Sequence, residues 1–113
     1  AHLDRYGFTD IASVLMSHED PGQSALDADI VPVVIDTARE TYGVEPAVNP
    51  RSAGSGPMYL FNRFLGIPTV GGVGVGHHQS RQHAPNESIK VRDYYLGIEH
   101  VIRIMHAFGG VKQ

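Results

Sequence analysis

One junction constrains this chain more than any other: the apolar run Ile67-Pro68-Thr69-Val70 gives way to glycines at 71, 72, 74 and 76, and then to a polar loop carrying His77, His78 and His83. A short apolar segment closed by glycines reads as a buried strand. In α/β proteins, ligands bind outside the carboxyl ends of strands, so an imidazole on such a loop is well placed for chemistry. Pro85 fixes its own φ and biases Ala84 toward extended geometry, which sets the path just after His83. Spacing alone also fits a plainer structure, a surface loop whose histidines are solvated and whose Pro85-Asn86 pair only makes a turn.

Composition narrows the chemistry. The 113 residues suit one small domain. Seven histidines and no cysteine exclude a thiolate zinc site or a disulfide framework and leave an imidazole and carboxylate site open. The lack of cysteine is compatible with a reducing compartment, and a cytoplasmic location is expected. With a net charge of -3 and nine scattered Lys and Arg, the chain has no basic footprint for nucleic acid. No apolar run reaches the length of a membrane span, and the first residues carry no signal-peptide pattern. The chain starts Ala1-His2-Leu3 without methionine, as a piece of a longer protein would.

In chain order, residues 1–8 read as the last turn of a helix stopped by Gly7. Residues 11–17 are apolar enough for a strand, closed by the turn Asp20-Pro21-Gly22. A helix then follows, with Asp27 or Asp29 as cap, Pro32 in its first turn and Gly43 past its end. Its apolar stripe is Val31, Val34, Ile35, Ala38 and Tyr42, with Asp36, Arg39 and Glu40 facing away. Residues 44–48 read as a short strand, edge-like because of Pro46. A helix opened by Pro57 and ended by Gly66 carries Met58, Leu60, Phe61, Phe64 and Leu65 on a core face. The last helix, 91–108, has the stripe Tyr94, Ile98, Val101, Ile102, Met105 and Phe108, is stopped by Gly109 and Gly110, and carries His100 and His106 as solvated side chains. Alternating strand and helix signals make the fold class α/β.

Three further groups bear on function. In Pro50-Arg51-Ser52-Ala53-Gly54-Ser55-Gly56-Pro57, small residues lead into a helix start whose unpaired N–H groups suit a carboxylate, and Arg51 adds a bidentate partner. The same residues also fit a plain cap with Arg51 solvated. The glycine run is spaced G-x-G-x-G and leads into a loop, so it lacks the dinucleotide fingerprint. Glu87, four residues past His83, either orients that imidazole as an outer carboxylate or closes the turn, and Asn86 reads as a turn former.

The succession Gly66-Ile67-Pro68-Thr69-Val70, glycine loop, His83-Ala84-Pro85-Asn86-Glu87 and amphipathic helix resembles the C-terminal end of the di-zinc metallohydrolases, which include aminoacylases, carboxypeptidase G, succinyl-diaminopimelate desuccinylase and the zinc dipeptidases. The resemblance implies that His83 is a ligand of one of two zinc ions, with Glu87 behind it, and that the chain holds at most a partial zinc site. It implies that Arg51, Gly54, Ser55 and Gly56 grip the free carboxylate of a peptide or N-acyl amino acid substrate. The phrase His2-Leu3, Gly7-Phe8, Asp10-Ile11 is similar to the end of that family's smaller lid, or dimerisation, domain. Residues 1–22 are then the end of the lid, including its last strand, and residues 23–113 the C-terminal part of a three-layer α/β catalytic domain. The general base and the other zinc ligands belong to the first half of that domain, so no catalytic residue is expected here and the piece alone is expected to be inactive. A homo-oligomer is expected, since the strand edge at 11–17 would recruit a second chain. The competing expectation is a small stand-alone binding or assembly module without catalytic activity.

Overall fold

Each expected helix forms, but the last runs through Gly109 and Gly110, the two glycines expected to stop it. The computed structural model describes residues 2–54, 56–71 and 73–110 and contains α1 (His2–Arg5), α2 (Ile30–Tyr42), α3 (Met58–Leu65) and α4 (Val91–Gly110). Helix α2 carries Pro32 in its first turn, where a missing N–H costs nothing. It ends at Gly43, whose left-handed φ of 69° lets its N–H fold back on the Arg39 carbonyl. Asp29 stands at the N-cap but makes no side-chain cap bond, because its backbone is already helical at φ -51° and ψ -31°.

Helices α2 and α4 pack against each other and hold the most buried part of the molecule. Thr37 and Ala38 of α2 and Gly97 and His100 of α4 are all buried; His100 reaches α2 at Val34 and Tyr42. Thr37 suits this place because its hydroxyl donates to the Val33 carbonyl at 2.7 Å, so its own polar atom is satisfied. Gly97 leaves room for the segment before the histidine loop: a Cβ there would lie 2.7 Å from Val75 Cγ1.

His100 departs from expectation. Instead of being solvated it is 2% exposed. Its Nε2–H donates to the Val34 carbonyl at 3.3 Å, its ring meets Tyr42 edge to face at 5.3 Å, and Nδ1 is buried without a partner. His100 lies three residues past the buried Gly97, so neighbouring positions of one helix face carry both. Burial, and then the negative charge of Asp93, raises the Tyr42 pKa above its ordinary 10. Outside the seam, Arg103 bridges Glu99 at 2.8 Å and Glu40 at 3.0 Å, joining the two helices at their exposed rim.

Helix α3 begins at Met58 with Pro57 as its N-cap, one place earlier than a proline at the first helical position. Its C-terminal stop is Gly66 at φ 63°. Residues 20–24 lie along it: Arg63 pairs with Asp20 at 3.1 Å, and Gly22 passes so close that a Cβ would come within 2.8 Å of the Tyr59 nitrogen. The Ser24 hydroxyl accepts from the Thr69 N–H and donates to the Thr69 carbonyl, both at 2.7 Å, and accepts from Asn62 Nδ2 at 3.1 Å. One side chain thus satisfies both backbone groups of Thr69.

The expected strands do not form. Segments 11–17, 44–48 and 67–70 are irregular, and among the described residues there is no strand. A strand exists only through ladder bonds to a neighbour, and no two of these segments pair with each other. The lid strand at 11–17 and the sheet of a three-layer α/β domain are therefore not formed in this chain. Their apolar side chains are left in the open, Val14, Leu15 and Met16 at 79, 83 and 92% exposure. The surface is 9468 Å², whereas size scaling gives about 6,100 Å² for a folded monomer of this mass. The radius of gyration is 18.7 Å against about 13 Å for a compact domain of this length. The only buried hydrophobic residue among those described is Ala38.

Candidate functional site

The histidine loop is built on Ser80. This residue is 1% exposed, while every residue from 81 to 90 is exposed. Ser80 N–H donates to the His77 carbonyl at 2.9 Å, and its Oγ accepts from the His77 N–H at 2.8 Å. Its carbonyl accepts from the Ser88 N–H at 3.0 Å, which closes the loop at its base. Within the loop Ala84 N–H donates to the Arg81 carbonyl at 3.0 Å.

Three non-glycine residues of this loop have left-handed backbones: Arg81 at φ 54°, His83 at 61° and Asn86 at 63°. Asparagine enters that region easily, as befits the expected turn former. For Arg81 and His83 it costs on the order of 1 kcal/mol or more each, a conformation that persists only where the surroundings impose it. His83 is thus presented outward from a loop with a defined and strained path. His77 is half-buried and serves the turn, its Nδ1 accepting from Gln79 N–H at 3.2 Å, and His78 is exposed. Glu87 is exposed and makes no hydrogen bond to His83.

The second group lies before α3. Arg51 is exposed and pairs with no carboxylate among the described residues, so its guanidinium is open to an incoming anion. Gly54 N–H donates to Ser52 Oγ at 3.1 Å, shaping the small-residue segment. Gly56 lies against Met58, where a Cβ would come within 2.9 Å of Sδ, and Ser55 falls outside the described residues. No hydrogen bond joins Arg51, Gly54 or Gly56 to His83 or Glu87.

A metal centre needs three or four converging donors. Among the described residues no group of three or more His, Asp or Glu is arranged to hold an ion. His83 is exposed, with its backbone set at φ 61°. Sequence reasoning located the loop but not Ser80 or Gln82, whose side chain lies over Gly76. A serine in a polar stretch carries no periodicity to mark it as buried.

These features coincide with the matches to known proteins. The profile of peptidase family M20/M25/M40 matches residues 8–107, and the chain belongs to this family. Among solved structures it is similar to an M20 family metallo-carboxypeptidase, Sso-CP2, from Sulfolobus solfataricus, with 39% sequence identity and a TM-score of 0.73 over 92% of this chain. The matched region is 24% of that protein, so the chain spans about a quarter of its length. No curated protein sequence matches at a significant level. The resemblance to the di-zinc metallohydrolases thus stands at the level of the family, whose peptidases are generally metal dependent. No helix among the described residues is long and apolar enough to cross a membrane.

Proposed function

We propose that the chain is the C-terminal part of a zinc-dependent metallopeptidase or amidohydrolase that cleaves a peptide or N-acyl amide bond next to a free carboxylate. The observation that carries this reading is the fixed, outward presentation of His83 in a chain of the M20 peptidase family. His83 donates one imidazole nitrogen to a zinc whose other ligands lie on other segments of the whole protein. Zinc, when bound, polarises the scissile carbonyl and activates water. Arg51, unpaired with any described carboxylate, takes the substrate carboxylate, and the backbone around Gly54, Ser55 and Gly56 shapes that subsite. Glu87 steadies the loop from outside the metal shell.

In this reading residues 1–22 end a lid domain and residues 23–113 complete the catalytic domain. The unpaired segments 44–48 and 67–70 gain strand partners in the whole protein, and segment 11–17 does so in the lid. Such partners also cover the exposed apolar side chains, and the whole protein assembles as a homo-oligomer in the cytoplasm. A self-sufficient binding module is disfavoured by the unusually large exposed surface. Similarity to a metallo-carboxypeptidase favours substrates with a free C-terminal carboxylate. The test is hydrolysis of dipeptides and N-acyl amino acids by the whole protein and its His83→Ala variant. Loss of turnover supports the proposal, and undiminished activity contradicts it.

A further inference from the structure

We propose that Ser80 is the positioning residue that holds the His83 imidazole ready for metal; this rests on the reading of His83 as a zinc donor. Residues 81–90 are all exposed, so no side-chain burial fixes the loop from within. Two of its residues, Arg81 and His83, hold left-handed backbones that would relax if the loop were free. What opposes that relaxation is polar and lies at the base. Ser80 there engages its N–H, its hydroxyl and its carbonyl at once, the first two with His77 and the third with Ser88. The hydroxyl takes the His77 N–H, and this bond is lost on truncation to alanine.

The Gln82 side-chain amide lies over the Gly76 α-carbon, but it is the far end of a flexible, exposed side chain that swings aside at little cost, so the restraint rests on Ser80. Ser80 thus acts through His83 and touches no substrate.

The experiment uses the whole protein, with zinc as the probe. Zinc affinity is read by chelator competition and backbone order by amide hydrogen exchange. Ser80→Ala is expected to weaken zinc about 10- to 100-fold, the range for residues that orient a metal ligand. It should also speed exchange at the His77, Ala84 and Ser88 amides while α2 and α4 keep their protection. If Ser80→Ala unfolds, hydrogen exchange of the unsubstituted protein carries the test, with the His77 and Ser88 amides expected to be protected by their bonds to Ser80. Wild-type zinc affinity in Ser80→Ala, or unprotected His77 and Ser88 amides, overturns the proposal. Failure of the underlying reading has a different signature, since His83→Ala then leaves zinc affinity unchanged.

Discussion

The α2–α4 seam and the loop at residues 77–88 are held in place by different physics. The seam is a packing object: Thr37 and Ala38 of α2 and His100 of α4 are buried where the helices meet and Gly97 is buried against Val75, while the expected α4 stripe of Tyr94, Ile98, Val101, Ile102 and Met105 stays exposed. The loop is a polar object with one buried residue, Ser80, and a backbone forced into left-handed geometry at three places. Substitutions in the first region should therefore register as stability and those in the second as metal or substrate affinity. The molecule separates scaffold from presentation within a few tens of residues.

The largest expected effect is on the loop. His83→Ala in the whole protein should lower hydrolytic activity by more than about 100-fold, beyond what loss of an outer partner of a metal ligand costs, with thermal unfolding unchanged. Next comes Arg51→Ala, expected to raise KM for carboxylate-bearing substrates about 10- to 100-fold, in line with a charge-assisted bidentate contact. It should also abolish any preference for the free carboxylate over its amide. Equal turnover of acid and amide by the wild type would show that Arg51 holds something else.

Gly97→Val probes the other region. The added side chain meets Val75 and should cost about 1–3 kcal/mol by overpacking, read in denaturant unfolding, while zinc affinity is retained. A zinc defect without loss of stability would break the division between seam and loop.

The smallest effect lies at the rim. Arg39 binds Glu45 in a fork at 2.7 and 2.8 Å, and this hydrogen bonding holds the Glu45 carboxyl below its ordinary 4.5. A depressed carboxylate contributes stability above its unfolded pKa, and that contribution is lost as pH falls through the folded value, below pH 4.5. Because the pair is exposed, the stability involved is small. Arg39→Ala should return the Glu45 titration to the ordinary range in an NMR pH series, with little change in unfolding.

How much of this was legible in the sequence follows the same division. The ends of α2 and α3 were legible because Gly43 and Gly66 stop helices locally, and the α2 stripe around Ala38 repeats within one segment, whereas α4 continues through the glycines at 109 and 110. The strands were misjudged because 11–17, 44–48 and 67–70 have strand composition but no partner in this chain, and pairing is a property of two segments. His100 was misjudged for a related reason, since its burial is decided by α2, 66 residues away. The His83 loop was legible as a motif, but its anchor was not. Ser80 is buried by the turn it makes with His77 and Ser88, a relation that no spacing rule encodes.

The central claim is that His83 is a metal donor supplied by this chain to a centre completed elsewhere in the protein. Anomalous scattering from crystals of the zinc-loaded whole protein tests it most directly. The expected result is a zinc at about 2.0–2.1 Å from an imidazole nitrogen of His83. Zinc bound elsewhere, with the His83 ring turned to solvent, would contradict it.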